Sequence, residues 1–367
     1  MIRAAALMER ACDLYLIDLF RRLGLSELLQ EPRTADELVR EFGFVKSADI
    51  TLQAMLWRLG TNTKAVKILE SQSPVQFQIR VEPPDPLPNL DEIRTELCEL
   101  GNHYEASLEF IDFGSQQFVT ALKDEPELFD RLLSGQKTGY DKLWYRATNE
   151  DPLQDLHGKM GAAAILELGL KGDLLEIGGG TGNGLRHLLD KLSQKNQLER
   201  IKSYTFTDIS LRFIMDTKHR TDGATKLKIN WQFLDINKPF DDQKIQEDSL
   251  DMIYGVNAAH VVKDIVEFLG QCKRSLRPGG RIVFAERVRA HPMEMAPREL
   301  ALNLSIYHRT AAKLHPEYRP THCYLTPENW LKVLGLAGFQ DGMILDGCGP
   351  SDDPVLRYPV VVVARKA

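Results

Sequence analysis

Leu174-Leu175-Glu176-Ile177-Gly178-Gly179-Gly180-Thr181-Gly182-Asn183-Gly184 decides the fold. A short apolar run of the kind that forms a buried strand leads into a glycine-rich turn, and a helical pattern begins near Leu185. Glycines in such a turn let the backbone take positive φ and pass close beneath a ligand. Two phosphate-binding patterns fail on spacing. A G-x-G-x-x-G fingerprint counted from Gly178 meets Asn183 where its last glycine should stand, and counted from Gly180 it meets Leu185. A P-loop would end in Gly-Lys-Ser/Thr, which does not follow. What remains is acid-x-Gly-x-Gly-x-Gly, made of Glu176, Gly178, Gly180 and Gly182.

Downstream of residue 173, short apolar runs alternate with helical stretches: Leu174–Ile177, Tyr204–Thr207, Trp231–Leu234, Met252–Tyr254, Ile282–Ala285 and Val360–Val363. That alternation predicts an α/β domain on a parallel sheet covered on both faces, with ligands at the carboxyl ends of the strands. The second run closes in Asp208, 26 positions after Gly182. A carboxylate there can accept both ribose hydroxyls of a nucleoside; the competing reading is an ordinary helix cap. Asp235 ends the third run and Ile236 follows it. Leu250–Asn257 supplies a fourth strand, and Leu276-Arg277-Pro278-Gly279-Gly280 turns into a fifth.

In this order the features resemble class I methyltransferases dependent on S-adenosyl-L-methionine (SAM). "LLEIGGGTG", "YTFTDISLRFI", "VNAAH" and "LRPGG", with an acid after the fifth strand, are most similar to the C-methyltransferase domains of polyketide synthases. The likeness covers about 173–290 well and 291–345 weakly, where Trp330-Leu331 and Ala337-Gly338-Phe339 resemble that family's closing helix and turn. The resemblance implies a Rossmann-like class I sheet, SAM as cofactor and S-adenosyl-L-homocysteine (SAH) as product. It implies cofactor contacts from Glu176, Gly178, Gly180, Gly182, Asp208, Asp235, Ile236 and Asn257, with Asp235 at the adenine amino group and Ile236 against the ring.

His260 lies three residues past Asn257, and Glu286 ends the fifth strand. Those two strand ends can lie side by side, and a carboxylate beside an imidazole fixes its tautomer and raises its basicity. Methyl transfer is a direct displacement at an activated carbon, so the enzyme must generate a nucleophile and align it. His260 and Glu286 are therefore the expected catalytic pair; the resemblance implies the same pair, and the bland alternative is that His260 only caps a helix. Tyr307 and His322, with His308 and Tyr324, fall after the fifth strand, where the family's acceptor pocket is usually roofed, and are candidates for substrate contact, with ordinary packing the competing reading.

The first ninety residues read differently. Apolar side chains at helical spacing run from Leu7 to Ile17; Thr34 with Glu37 makes a capping box before a helix ending at Gly43; another helix covers about 50–59; Val66–Leu69 and Val75–Ile79 make a hairpin. This is the outline of a winged helix, and "TADEL…G" resembles the winged-helix modules of small-molecule O-methyltransferases. A DNA-binding role needs clustered cations, yet the would-be recognition helix carries only Arg58, and the chain has 46 Lys and Arg against 52 Asp and Glu, a net charge of -6. Nucleic acid is thus not an expected partner. Four prolines between Pro83 and Pro88 mark a linker. The expected organisation is 1–90 as a winged-helix-like dimerisation module, 91–168 as a helical connector and lid, and 169–367 as the SAM-binding methyltransferase domain, in a homodimer.

No apolar run of 18 residues occurs, so no membrane partner is expected. Glu9, Asp13 and Asp18 break the first apolar stretch, against a secretory signal. Five scattered cysteines without a C-x-x-C read as reduced thiols, which points to the cytoplasm, and the histidines lack metal-ligand spacing, so no metal is expected. The function expected is methylation of an activated, polyketide-like β-dicarbonyl carbon in a small acceptor, free or tethered to a carrier protein. The alternatives are O-methylation of a phenol or enol, and a non-catalytic methyltransferase-like subunit that binds a partner.

Overall fold

Helix α1 (Ile2–Arg22) and the single turn α2 (Leu25–Leu28) open the chain in a computed structural model that describes residues 1–82, 90–123, 140–302, 313–346 and 359–367. The proline-rich stretch 83–88, Tyr307 and His308 lie outside the described residues. Strand β1 (Arg33–Thr34) then hands over to α3 (Ala35–Phe42) through the capping box: Thr34 Oγ1 accepts the Glu37 amide at 3.2 Å and Glu37 Oε2 accepts the Thr34 amide at 2.8 Å. Gly43, at φ 62°, stops the helix in the left-handed conformation glycine adopts freely. Helix α4 (Ala48–Arg58) follows and widens into a π turn over Leu59–Thr63, so it runs past the stop expected at Gly60. Strands β2 (Val66–Leu69) and β3 (Gln76–Ile79) complete an antiparallel sheet of order β1-β3-β2, the wing of a winged helix. Helices α5 (Leu90–Leu100), α6 (Glu105–Lys123) and α7 (Tyr140–Asn149) come next.

The chain divides into two units. Met1–Pro152 gathers the described parts of His291–Ala311 and Pro320–Cys323; the second unit takes Leu153–Ala290, the described part of Ala312–Arg319, and Tyr324–Ala367. In the first, α4 offers no exposed cation. Arg58 is fully buried, held by Asp13 at 2.7 Å, Glu9 at 2.8 Å and the Met295 carbonyl at 2.9 Å.

Helix α8 (Pro152–Glu167) leads into the second unit, a seven-stranded sheet of order β6-β5-β4-β7-β8-β10-β9. Strands β4 (Gly172–Ile177), β5 (Ile201–Asp208), β6 (Ile229–Phe233), β7 (Leu250–Val256) and β8 (Leu276–Arg287) are parallel. Strand β10 (Pro359–Arg365) runs antiparallel to β8 and to β9 (Gln340–Asp346). The Val360–Val363 run is thus a buried but reversed strand, and β9 is an edge strand whose apolar run, Met343-Ile344-Leu345, is short and flanked by Asp341-Gly342 and Asp346. Alternate residues feed opposite faces: Leu175, Ile177, Ile253, Ile282 and Phe284 pack on one, Leu174, Tyr204, Met252, Tyr254 and Val283 on the other. Chain order reverses at β4, whose neighbours are β5 and β7, so the crevice beyond its carboxyl end is the switch point where such sheets bind ligands.

Candidate active site

The glycine loop sits at that switch point, between β4 and α9 (Asn183–Gln194). Gly178, Gly180 and Gly182 all have positive φ, at 53°, 52° and 83°. The loop is tied to β5 by the Gly179 amide, which donates to the Thr207 carbonyl at 2.8 Å. A side chain on Gly178 would strike Ala258, and one on Gly182 would strike Thr217; beyond Gly180 the nearest atom is the Gly178 carbonyl at 3.9 Å. Gly180 therefore borders open space that a Cβ would begin to fill. That open space beside a positive-φ glycine turn fits a nucleoside cofactor.

Asp208 ends β5 and is almost fully buried. Its Oδ2 accepts the Gly180 amide at 2.8 Å and its Oδ1 the Ser210 amide at 2.7 Å, with the Ile209 amide also directed at the carboxylate. Burial pushes its pKa up, against the amides that favour the ionised form. The cap of α10 (Leu211–Thr221) is Ser210, not Asp208. Glu176 is buried beneath the loop, with Tyr204 Oη donating to its Oε2 at 2.6 Å. Burial pushes its pKa up to about 8, with the Tyr204 bond opposing and the Asp208 charge adding. Glu176 thus ties the end of β4 to β5. Asp235 holds the turn after β6, its Oδ1 accepting the Asn237 amide at 3.0 Å, and Ile236 is buried beside it. Asn257, at φ 49°, joins β7 to β8: its amide donates to the Ala285 carbonyl and its Oδ1 accepts the Arg287 amide at 2.9 Å.

His260 lies in a short turn, Ala259–Val261, just past β7, and is 3% exposed. Glu286, near the end of β8, is fully buried. Glu286 Oε2 lies 2.6 Å from His260 Nδ1, while Oε1 accepts the Ala258 and Ala259 amides at 3.0 and 2.8 Å. A carboxylate so placed is the acceptor, so Nδ1 carries the proton and Nε2 keeps a lone pair. Among the described residues nothing bonds to Nε2. The Tyr324 ring packs on the imidazole, with centroids 4.6 Å apart.

His322 is in the first unit, buried, its Nε2 3.4 Å from Thr51 Oγ1 of α4. Two groups escaped the sequence reading. Asp155 on α8 takes Asn183 at 3.2 Å, Arg186 at 2.6 Å and Lys159 at 2.8 Å, together with His187, which fixes the first turn of α9. Burial alone would raise the pKa of Asp155; its donors His187, Lys159 and Arg186 outweigh that and hold it well below the usual carboxylate range. The i, i+4 pair Asp155 and Lys159 was the available signal. Arg319, the other, has no signal in sequence because its partners are backbone carbonyls. Among the described residues no cluster of His, Cys, Asp and Glu could hold a metal ion, and no helix is long and apolar enough to cross a membrane.

Residues 175–282 match the family model described as "Methyltransferase domain". The chain is 29% identical over 212 residues to the highly reducing polyketide synthase Preu5 of Preussia isomera, a match covering 57% of this chain and 8% of that protein. It spans less than a tenth of the length of the curated relatives it matches first, at 8% and 7%. Among solved structures it is similar to the CurJ carbon methyltransferase, with a TM-score of 0.78 at 20% identity over 99% of this chain and 92% of that one. It is also similar to the trans-methyltransferase CalH in complex with SAH, with a TM-score of 0.63 at 19% identity over 98% and 90%. Residues 175–282 accordingly match a methyltransferase domain, and the chain has a Rossmann-like class I fold, similar in sequence to polyketide synthases and in fold to carbon methyltransferases.

Proposed function

We propose that this protein is a SAM-dependent carbon methyltransferase acting on the activated carbon of a polyketide-like β-dicarbonyl acceptor, with His260 as base and Glu286 as its orienting partner. The observation that carries the reading is the buried His260–Glu286 pair, which leaves Nε2 with an available lone pair beside the switch point of the sheet. When bound, SAM supplies a methyl group already activated by its sulfonium. The chain's own work is to hold cofactor and acceptor in line and to remove one proton. Gly178, Gly180, Gly182, Asp208, Asp235, Ile236 and Asn257 are the proposed cofactor contacts, with Glu176 supporting the loop. His260 Nε2 takes the proton from the carbon between two carbonyls, and the electron pair left behind becomes the nucleophile. Glu286 holds the ring by Nδ1 and favours the imidazolium that results. The acceptor arrives free or on a carrier protein, as befits relatives that are polyketide synthases.

The test uses the acetoacetyl thioester of N-acetylcysteamine, phenols in parallel, and product mass. Methylation at carbon of the thioester is expected; transfer to phenols alone would replace the carbon reading with O-methylation, for which the same imidazole could serve. His260→Ala should lose about 10²–10⁴-fold in kcat while SAH binding is kept, the usual worth of a general base. Glu286→Gln should cost less. Across acceptors of graded acidity, the His260→Ala defect should shrink as the acceptor becomes more acidic. A constant defect would remove His260 from the role. We also assign 1–90 to dimerisation, 91–168 to the connector and lid, and 169–367 to the methyltransferase domain; light scattering on the full chain that reports a monomer would refute the dimer.

A further inference from the structure

The turn that carries His260 has polar groups of two kinds to satisfy. Its amides, Ala258 and Ala259, are taken by Glu286. Its carbonyls point the other way, and a short helical turn leaves such carbonyls without partners of its own. Arg319 meets them. Its guanidinium donates to the His260 carbonyl at 2.7 Å, to the Val262 carbonyl at 2.6 Å and to the Lys263 carbonyl at 3.3 Å. Arg319 is 2% exposed. The peptide groups around His260 are thus gripped between a buried carboxylate on the amide side and a buried guanidinium on the carbonyl side.

The segment that delivers Arg319 is itself fastened to the same turn. The Lys313 amide donates to the Lys263 carbonyl at 2.6 Å, and Lys313 Nζ reaches Asp264 Oδ2 at 2.8 Å. His315 and Arg319 exchange backbone hydrogen bonds, each at 2.8 Å, and the His315 and Tyr318 rings stack with centroids 4.1 Å apart. The planar fork of arginine matches several carbonyls at once, which a lysine ammonium on a flexible stem does not.

We propose that Arg319 is a positioning residue for methyl transfer: by clamping the His260, Val262 and Lys263 carbonyls it fixes the ring of His260 against Glu286 and so sets the direction of Nε2. The proposal rests on His260 acting as base, but its geometric half can be read without turnover. An imidazole moved by about 1 Å should lose roughly 100-fold in rate, because proton removal needs hydrogen-bond geometry.

The experiment compares Arg319→Met and Arg319→Lys with the parent full-length chain. The imidazole Nδ1–H resonance of His260 is followed in protein labelled at histidine with nitrogen-15 and assigned by its loss in His260→Ala. SAH affinity, and kcat and KM with the acetoacetyl thioester, are measured beside it. Arg319→Met is expected to shift or abolish the His260 resonance and to lower kcat roughly 10–100-fold, with SAH affinity and acceptor KM within about two-fold. Arg319→Lys should recover part of both. An unchanged resonance, or a resonance that moves with kcat intact, overturns the positioning role. Loss of SAH binding in step with kcat overturns it too, because the residue would then only hold the fold. Should Arg319→Met fail to fold, the graded change in Arg319→Lys decides by the same two readings. A His260→Ala variant with full kcat would sink the base assignment, whereas the resonance of the Arg319 variants would still report whether Arg319 sets the ring.

Discussion

Each unit of this chain buries a charged cluster, and the two clusters are finished differently. In the N-terminal unit Arg58 donates to Glu9, Asp13, the Glu9 carbonyl and the Met295 carbonyl, joining α1, α4 and the segment at 295. In the C-terminal unit Glu286 is saturated in the same way, by two amides and His260, but the chain of bonds ends in an imidazole nitrogen that has no bonded neighbour among the described residues. A buried network whose members are all paired holds a structure together. One that ends in an available lone pair can also do chemistry, and the comparison separates architecture from mechanism before any activity is measured.

The largest effect expected from breaking the comparison on its structural side is Arg58→Met. Removing one partner of a buried ion pair costs about 3–5 kcal/mol, because the remaining charge is left uncompensated. Glu9 and Asp13 are 19% and 22% exposed, so water recovers part of that, and the loss should lie toward the lower figure. Hydrogen exchange should show α1 and α4 losing protection while β4, β7 and β8 keep theirs. Equal loss in both units would mean that the cluster is not local to the first. On the chemical side, Asp208→Ala comes next. Charge-assisted hydrogen bonds are worth about 1.5–3 kcal/mol each, so calorimetry should show SAH affinity falling by at least ten-fold, with Gly180→Val failing to bind. Unchanged affinity in both would remove the nucleoside site from the glycine loop.

The two clusters also differ in how far the sequence exposes them. Glu176, Gly178, Gly180 and Gly182 were legible because a turn with repeated positive φ can be written in few ways, and the apolar residues Leu174, Leu175 and Ile177 lead into it. His260 and Glu286 were legible as ends of neighbouring parallel strands, since strand order brings together residues 26 apart in sequence. Arg58 read as the single cation of a recognition helix; only packing against Glu9 and Asp13, 49 and 45 residues away, shows that it never reaches solvent. Arg319 was invisible for a related reason. Its partners are backbone carbonyls 56 to 59 residues away, and no side-chain pattern records a carbonyl. Strand β9 escaped because its three-residue apolar run, Met343-Ile344-Leu345, sits between Asp341-Gly342 and Asp346, which do not read as a strand.

A smaller effect separates Glu176 from both clusters. It is a buried acid with a phenol for a partner and no cation. Its pKa rises from the ordinary 4.5 to about 8, so between those values the folded chain holds a proton that the unfolded chain has released. The stability it contributes is present below about pH 4.5 and is lost as pH rises toward 8. Glu176→Gln keeps an acceptor for Tyr204 and never ionises. The difference in Tm between Glu176→Gln and the parent chain should therefore widen in favour of the variant from pH 5 to pH 8. A difference independent of pH would show that Glu176 is ionised throughout.

The smallest effect belongs to the capping box of the first unit, and it tests whether that unit is built by local rules as well as by its buried ions. Thr34 Oγ1 holds the Glu37 amide and Glu37 Oε2 holds the Thr34 amide, so two backbone donors at the start of α3 are satisfied by side chains three residues apart. Thr34→Ala removes the first bond and leaves a donor to water, at a cost of about 1 kcal/mol. Thr34→Ser keeps the hydroxyl and should cost less than half of that. The Thr34 amide is the larger influence on Glu37 and lowers its pKa against a smaller burial effect, so its share of the stability is present at neutral pH and fades as pH falls through its titration. That share is small because Glu37 is exposed to water. Hydrogen exchange over α3 is the measurement, with SAH affinity beside it. Faster exchange confined to α3, with affinity unchanged, is the expected result; a loss of SAH affinity from so small a change would tie the cap to the cofactor site and break the separation between an architectural unit and a chemical one.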